Sequence, residues 1–242
     1  MVNNILRPVI TGLFPDYCSL CGLRSRRDLP LCRDCARELC ANQHCCYRCA
    51  IPLSLLHQPN PSAHCGNCQR EPPPFDRVIA PWLYCERLAH LIQRWKFHPE
   101  RRLTPLLTKL FLQHGAPAPV DTLIPVPLHW RRLLQRGFNQ SELFCRQLLS
   151  QHHGLEAARL DHRGVRRDRA TPAQSGMSAM QRRRNLRGAF TVHKRYDNLR
   201  IAIVDDVFTT GATAAAMAGA LRGAGAAYVE VWCLARTPSP GR

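Results

Sequence analysis

The stretch from Ile201 to Thr213, IAIVDDVFTTGAT, limits what this chain can fold into more than any other segment. Ile201, Ile203 and Val204 are β-branched members of a short apolar run, the pattern of a strand buried in a parallel sheet. In this reading the run stops at Asp205. Thr209 to Thr213 then supply hydroxyls and a permissive glycine, and the following AAAMAGALRGAGA is rich in strong helix formers until Gly223 and Gly225 end it. Strand, tight loop and helix start follow one another. Open α/β sheets hold ligands at the carboxyl ends of their strands, and free N–H groups at a helix N-terminus attract anions. Paired carboxylates repel a phosphate but accept hydrogen bonds from vicinal hydroxyls, so acids and loop together suit a phosphorylated sugar. The lysine of a Walker loop and a GxGxxG turn are both absent from the sequence.

These thirteen residues resemble the phosphoribosyl pyrophosphate (PRPP) signature of type I phosphoribosyltransferases. The resemblance implies that Asp205 and Asp206 hold the ribose 2′ and 3′ hydroxyls. It also implies that Thr209, Thr210, Gly211, Ala212 and Thr213 wrap the 5′-phosphate.

A second feature governs the N-terminal part. Most of the 13 cysteines lie between Cys18 and Cys68, in four C-x-x-C units: Cys18/Cys21, Cys32/Cys35, Cys46/Cys49 and Cys65/Cys68. Each unit offers two thiolates at a separation that lets both reach one tetrahedral ion. The intervals suit two four-cysteine zinc sites, sequential or interleaved, and a segment of about 75 residues with few core apolars needs such staples. A disulfide framework is less plausible in a reducing compartment, and regular pairs give an iron–sulfur cluster less support. Cys40 and Cys45 read as spare thiols, His44, His57 and His64 as surface histidines or substitute ligands, and Cys85, Cys145 and Cys233 as core residues.

Charge narrows the partners. Against 17 Asp and Glu the chain carries 34 Lys and Arg, a formal +17, which favours phosphate-bearing ligands. Eleven of these cations fall between Arg159 and Arg195, with only Asp161 and Asp168 opposing them. That region reads as a solvated loop or as one that folds over a polyanion. The sequence holds no run of eighteen apolar residues, and MVNNILRPVITGLFP lacks a basic n-region and a small-residue cleavage site. A cytoplasmic protein without membrane insertion is the expectation.

Three prolines in QREPPPFDRV place a boundary near Pro74, giving a Cys-rich zinc-binding domain over 1–74 and a second domain over 75–242. Beyond it Val78–Cys85 reads as a strand, Leu88–Phe97 and Leu103–Leu112 as helices, and DTLIPVPL as a buried strand. Gln140–Gln151 reads as a helix and Tyr228–Leu234 as the last strand. Alternating strands and helices predict an α/β fold with a parallel sheet. No internal repeat is evident beyond the paired cysteines.

LIPVPLHWRRLLQRGFNQSELF resembles the first strand and pyrophosphate loop of amidophosphoribosyltransferase-like enzymes, which implies that Arg131, Arg132 and Arg136 bind a departing pyrophosphate. ATPAQSGMSAMQRRRNLRGAF resembles their mobile hood, with Arg182, Arg183 and Arg184 closing over the diphosphate. Together with the cysteine module, the CGNCQREPPPFDRV junction and the PRPP signature, these segments resemble the ComF family and its GntX-like DNA utilisation proteins over nearly the whole chain. The resemblance implies a type I phosphoribosyltransferase-like sheet behind a zinc module, structural zinc, Mg2+ with PRPP, and a role in competence or in the use of DNA as a nutrient. A non-catalytic alternative is a PRPP-fold accessory protein that binds single-stranded DNA beside components of the DNA-uptake machinery. Trp82, Trp95 and Trp130 are candidates for base stacking, though core packing is the commoner role for tryptophan.

Overall fold

The computed structural model describes residues 17–25, 27, 29–53, 62–97, 100–115, 117–168 and 188–238. Its centre is β7 (Arg200–Phe208), flanked by β8 (Tyr228–Arg236) on one side and β3 (Thr122–Pro125) on the other. Beyond β8 lies β1 (Arg77–Ile79), continued along the same edge by β2 (Trp82–Leu83), and beyond β3 lies β4 (Arg159–Leu160). All these pairings are parallel, with Ile203 opposite Val231 on one side and Ile124 on the other. The α/β class expected from the alternation is therefore the one observed. A separate antiparallel ribbon joins β5 (Val165–Arg167) to β6 (Phe190–Val192). The hood arginines Arg182, Arg183 and Arg184 lie outside the described residues, as do His57 and the N-terminal segment.

Several element boundaries depart from the sequence reading, and the strand expected over DTLIPVPL is confined to Thr122–Pro125. The strand expected over Val78–Cys85 is split at Pro81, which has no N–H to continue a ladder. The helices expected to start at Leu88 and to stop at Leu112 run from Glu86 and to His114. The last strand continues past Leu234 to Arg236. Finally, β7 does not stop at Asp205: it continues to Phe208, because β8 still offers partners, Val207 opposite Ala235 and Phe208 opposite Arg236.

Both faces of the sheet are covered. On one, α3 (Glu86–Phe97) buries Leu88, Leu91, Ile92 and Trp95, the i, i+3, i+4, i+7 stripe of an amphipathic helix. It packs with α4 (Leu103–His114) and α6 (Gln140–Gln151) against Ala202 and Val204. Trp95, Phe111 and Phe144 meet edge to face, with ring centroids 5.4 and 6.4 Å apart, and the Trp95 Nε1–H donates to Thr104 Oγ1 at 3.0 Å. Burying each such side chain contributes roughly 1.5–3 kcal/mol. On the opposite face α7 (Ala212–Gly223) lays Met217, Ala218 and Leu221 over Ile201, Ile203 and Val231. The alternation of β7 slips after Asp206, so that Val207 packs on the first face and Phe208 on the second.

The cysteine-rich segment is two copies of one backbone motif. A bridge pairs Tyr17 with Arg24 in the first and Cys45 with Pro52 in the second. Within each turn an N–H folds back on the first cysteine carbonyl, Gly22 to Cys18 at 2.9 Å and Ala50 to Cys46 at 2.7 Å. Both turn residues have positive φ, 75° at Gly22 and 52° at Ala50, a conformation that costs an L-residue about 1 kcal/mol. Each copy then ends in a five-residue helix, α1 (Arg33–Arg37) and α2 (Gly66–Arg70), entered through Cys32 and Cys65. Outside the cysteines the copies share almost no side chains, so this repeat is hidden in the sequence. Leu29, Leu31 and Leu39 of the first copy join the core beneath α4 and β2, while Ala50 of the second joins the opposite cluster.

Candidate functional site

Asp205 and Asp206 stand side by side near the end of β7. Asp206, only 6% exposed, meets Lys96 of α3, whose Nζ lies 2.8 Å from Oδ1, and the Gln140 amide donates to Oδ2 at 2.8 Å. Gln140 is placed by its neighbours in sequence. Helix α5 (Trp130–Arg136) ends at Gly137 with φ 74°, and Asn139 caps α6 by accepting from the Ser141 N–H at 3.0 Å while donating to the Val126 carbonyl. Gln140 thereby opens α6 facing β7.

Asp205 accepts the Asp206 N–H at 2.9 Å. Desolvation, then the charge of Asp206, push its carboxyl up to about 7, against the opposing pull of Lys96 and Arg167. The pKa of Arg136 is lowered, first by burial and then by the nearby Arg132, and Asp205 and Asp206 act in the other direction. Arg167 on β5 responds to burial, Arg132 and Asp205 in the same way. Lys96 thus pairs directly with Asp206, Arg136 and Arg167 lie near the acids, and Arg132 lies beside those two arginines. Of the three arginines singled out on α5, Arg132 and Arg136 join this group, whereas Arg131 is exposed and stacks over Trp130 at 5.3 Å.

The loop follows directly. Thr209 and Thr210 are exposed, Gly211 has φ 76°, and α7 begins at Ala212 without a side-chain cap, although Thr210 Oγ1 accepts the Ala212 N–H at 3.4 Å. A Cβ on Gly211 would lie 2.6 Å from Phe208 Cζ, so the turn requires glycine both for its dihedral and for its space. An uncapped helix start leaves orphan N–H groups and a positive dipole end available to an anion. Asp205, Asp206, Thr209, Thr210, Gly211, Ala212 and Thr213 therefore stand in one continuous strand end, turn and helix start.

Two further sites lie in the two copies of the cysteine motif. The sulfurs of Cys18, Cys21, Cys32 and Cys35 all lie within 4.8 Å of one another, and so do those of Cys46, Cys49, Cys65 and Cys68. The pairing is sequential. Cys21 and Cys32 Sγ stand 3.8 Å apart and Cys49 and Cys65 Sγ 3.7 Å, which matches the edge of about 3.8 Å for a tetrahedron with Zn–S of about 2.3 Å. Backbone N–H groups already point at sulfur, Cys35 to Cys32 at 3.5 Å and Cys65 to Cys46 at 3.2 Å. Burial acts to raise the Cys18 thiol, yet the backbone N–H groups of Cys21 and Cys32 outweigh it and bring it to about 6. A hydrogen bond from Cys49 brings Cys46 down to about 4 and drives Cys49 itself up. Four such sulfurs can ionise together only around a cation, so both sets fit structural zinc. Among the remaining thiols, Cys145 and Cys233 are buried in the core as expected, while Cys85 is only partly covered and lies beside Cys40.

A model of the double zinc ribbon domain matches residues 9–71. Beyond the ribbons, the DNA utilization protein YhgH of Salmonella typhi is 38% identical over 92% of this chain and 98% of its own length. The YhgH protein of Escherichia coli (strain K12) is 36% identical over the same shares. Competence protein F of Haemophilus influenzae is 34% identical over 85% of this chain and 90% of its own. The chain belongs to the ComF family of DNA utilization and competence proteins. Among the described residues of this ComF-family chain no helix is long and apolar enough to cross a membrane.

Lys96, Gln140 and Arg167 escaped the sequence reading. Lys96 sits beside a core tryptophan in a helix, and Gln140 follows a cap, so each looks like an ordinary polar position. Arg167 lay unmarked within the basic region between Arg159 and Arg195. Of the tryptophans, Trp82 and Trp95 are core and only Trp130 is exposed.

Proposed function

We propose that the strand end and loop bind PRPP with Mg2+, and that the protein is a phosphoribosyltransferase of DNA utilization or competence. One observation carries this reading: a helix start without a side-chain cap follows an acid pair that Lys96 contacts and near which Arg136 and Arg167 lie. The loop N–H groups and Thr hydroxyls would take the 5′-phosphate and the acids the diol. Mg2+ would supply charge neutralisation between diphosphate and ribose, consistent with the hard oxygens of Asp205 and Asp206. Loss of pyrophosphate from C1 leaves an oxocarbenium-like sugar. Its positive charge favours nearby carboxylates, and the departing anion favours Arg132 and Arg136, so positioning and electrostatics carry the rate. No nucleophilic side chain is needed.

The test is pyrophosphate release from PRPP and Mg2+ across a panel of bases. Release stimulated by one base and reduced at least about 100-fold in Asp206→Asn is the expected result. No release with any acceptor contradicts the enzymatic reading.

A second reading is a non-catalytic protein that binds single-stranded DNA beside components of the uptake machinery. It draws on a cavity of about 440 Å3 against the first ribbon, lined by Arg27, Arg33 and Arg37 together with Trp82 and His114. Salt-sensitive DNA binding without pyrophosphate release would favour it.

A further inference from the structure

Arg236, the last residue of β8, is 7% exposed, and among the described residues it has no carboxylate at ion-pair distance. Its guanidinium faces two ways. Nε donates to the carbonyl of Cys49, a member of the second four-cysteine set, at 3.1 Å. Nη1 donates to the carbonyl of Phe208 at 3.3 Å and to Thr237 Oγ1 at 3.1 Å, and the guanidinium lies 5.2 Å from the Phe208 ring centroid. Phe208 is the residue from which the phosphate loop departs, and its ring is the surface against which Gly211 is packed. The same side chain therefore holds a metal-ligand backbone and the floor of the loop.

Two further observations give this link its weight. Around it the second ribbon and the loop stand apart: a cavity of about 630 Å3 has Cys49, Cys65 and Cys68 on its lining together with Phe208, Thr210, Gly211 and Ala212. Moreover, a buried guanidinium is costly unless a negative charge offsets it. Zinc held by the four thiolates there would leave the second site net negative, directly beyond Cys49.

We propose that Arg236 is a positioning residue that ties the second four-cysteine site to the phosphate loop, so that metal occupancy there sets the order of the loop. The coupling runs through the Cys49 and Phe208 carbonyls and is reciprocal: whatever orders the loop also retains the second metal. The link itself is independent of any ligand, but its functional meaning rests on the loop being a phosphate site, as proposed above.

The test uses the full chain loaded with zinc. Hydrogen exchange of residues 208–213 is compared in the parent, Arg236→Gln, Arg236→Lys, Cys65→Ser and Cys32→Ser, and zinc release to a chromophoric chelator is followed in the parent and Arg236→Gln. Loss of a charged hydrogen bond predicts about tenfold faster loop exchange in Arg236→Gln. Cys65→Ser does the same, and Arg236→Lys, which keeps the charge but not the fork, falls between. Cys32→Ser, at the first site, leaves the loop as it was. Arg236→Gln also releases one zinc about tenfold faster and the other at the parental rate. Loop exchange unchanged in Arg236→Gln overturns the proposal, as does equal loosening by Cys32→Ser and Cys65→Ser. If Cys65→Ser fails to fold, the zinc-release rates of Arg236→Gln decide alone, and equal rates overturn it. Calorimetry of the parent with PRPP and Mg2+ separates the two readings, because absent heat contradicts the phosphate-site reading while the exchange data judge the coupling.

Discussion

Asp205 shows how far a residue's neighbours change its chemistry. Two adjacent acids are visible in the sequence, but not that one is paired with Lys96 and hydrogen-bonded by Gln140 while the other is raised to about 7 by desolvation and by its neighbour. The raised pKa means that the folded, ligand-free protein holds this proton more tightly than the unfolded chain does. Its contribution to stability is complete at acid pH and is lost as pH rises through about 7. The ionised carboxylate is the form that accepts hydroxyl hydrogens, so affinity for PRPP with Mg2+ should climb across the same interval. In Asp205→Asn both slopes should flatten, which denaturant titrations and calorimetry at several pH values would measure. Lys96, Gln140 and Arg167 were illegible in advance because their roles depend on which elements meet, and no local pattern encodes that.

At the scale of elements, periodicity carried much of the architecture. Gln140–Gln151 matches its expected span, and the apolar stripe of α3 faces the core as its spacing requires. The ends were harder. Asp is depleted in strands, so β7 reads as ending at Asp205, whereas pairing with β8 carries it three residues further. The doubled ribbon was likewise hidden, because it recurs as backbone turns around cysteines and not as side chains. The turn at Gly211 is the element most sensitive to change. Gly211→Ala forces a Cβ against Phe208 at a positive φ, and we expect a loss of stability of about 1–2 kcal/mol together with weaker phosphate binding. A variant of parental stability in urea titration would refute that account of the turn.

Across the whole molecule, the two ribbons bind to opposite faces of one sheet. Leu29, Leu31 and Leu39 of the first share a cluster with α3 and α4, and Ala50 of the second shares one with β3, β7 and α7. Metal loss at either ribbon should therefore lower the global stability of the sheet, while only loss at the second should loosen the loop locally. Cys18→Ser and Cys46→Ser should each retain one zinc equivalent in place of two, and each should lower the melting temperature of the entire protein. Parental zinc content in either variant would contradict the assignment of that site. The separation into a cysteine module and a sheet was readable from composition, whereas their joint packing depends on long-range contacts that no local pattern encodes.

The central claim is that the end of β7 and the turn after it grip a phosphorylated pentose. Isothermal calorimetry of the zinc-loaded protein with PRPP and Mg2+ tests it most directly. One molecule bound per chain, with affinity falling at least about tenfold in Asp206→Asn, is the predicted result. No heat from the parent protein, or equal affinity in Asp206→Asn, would contradict it.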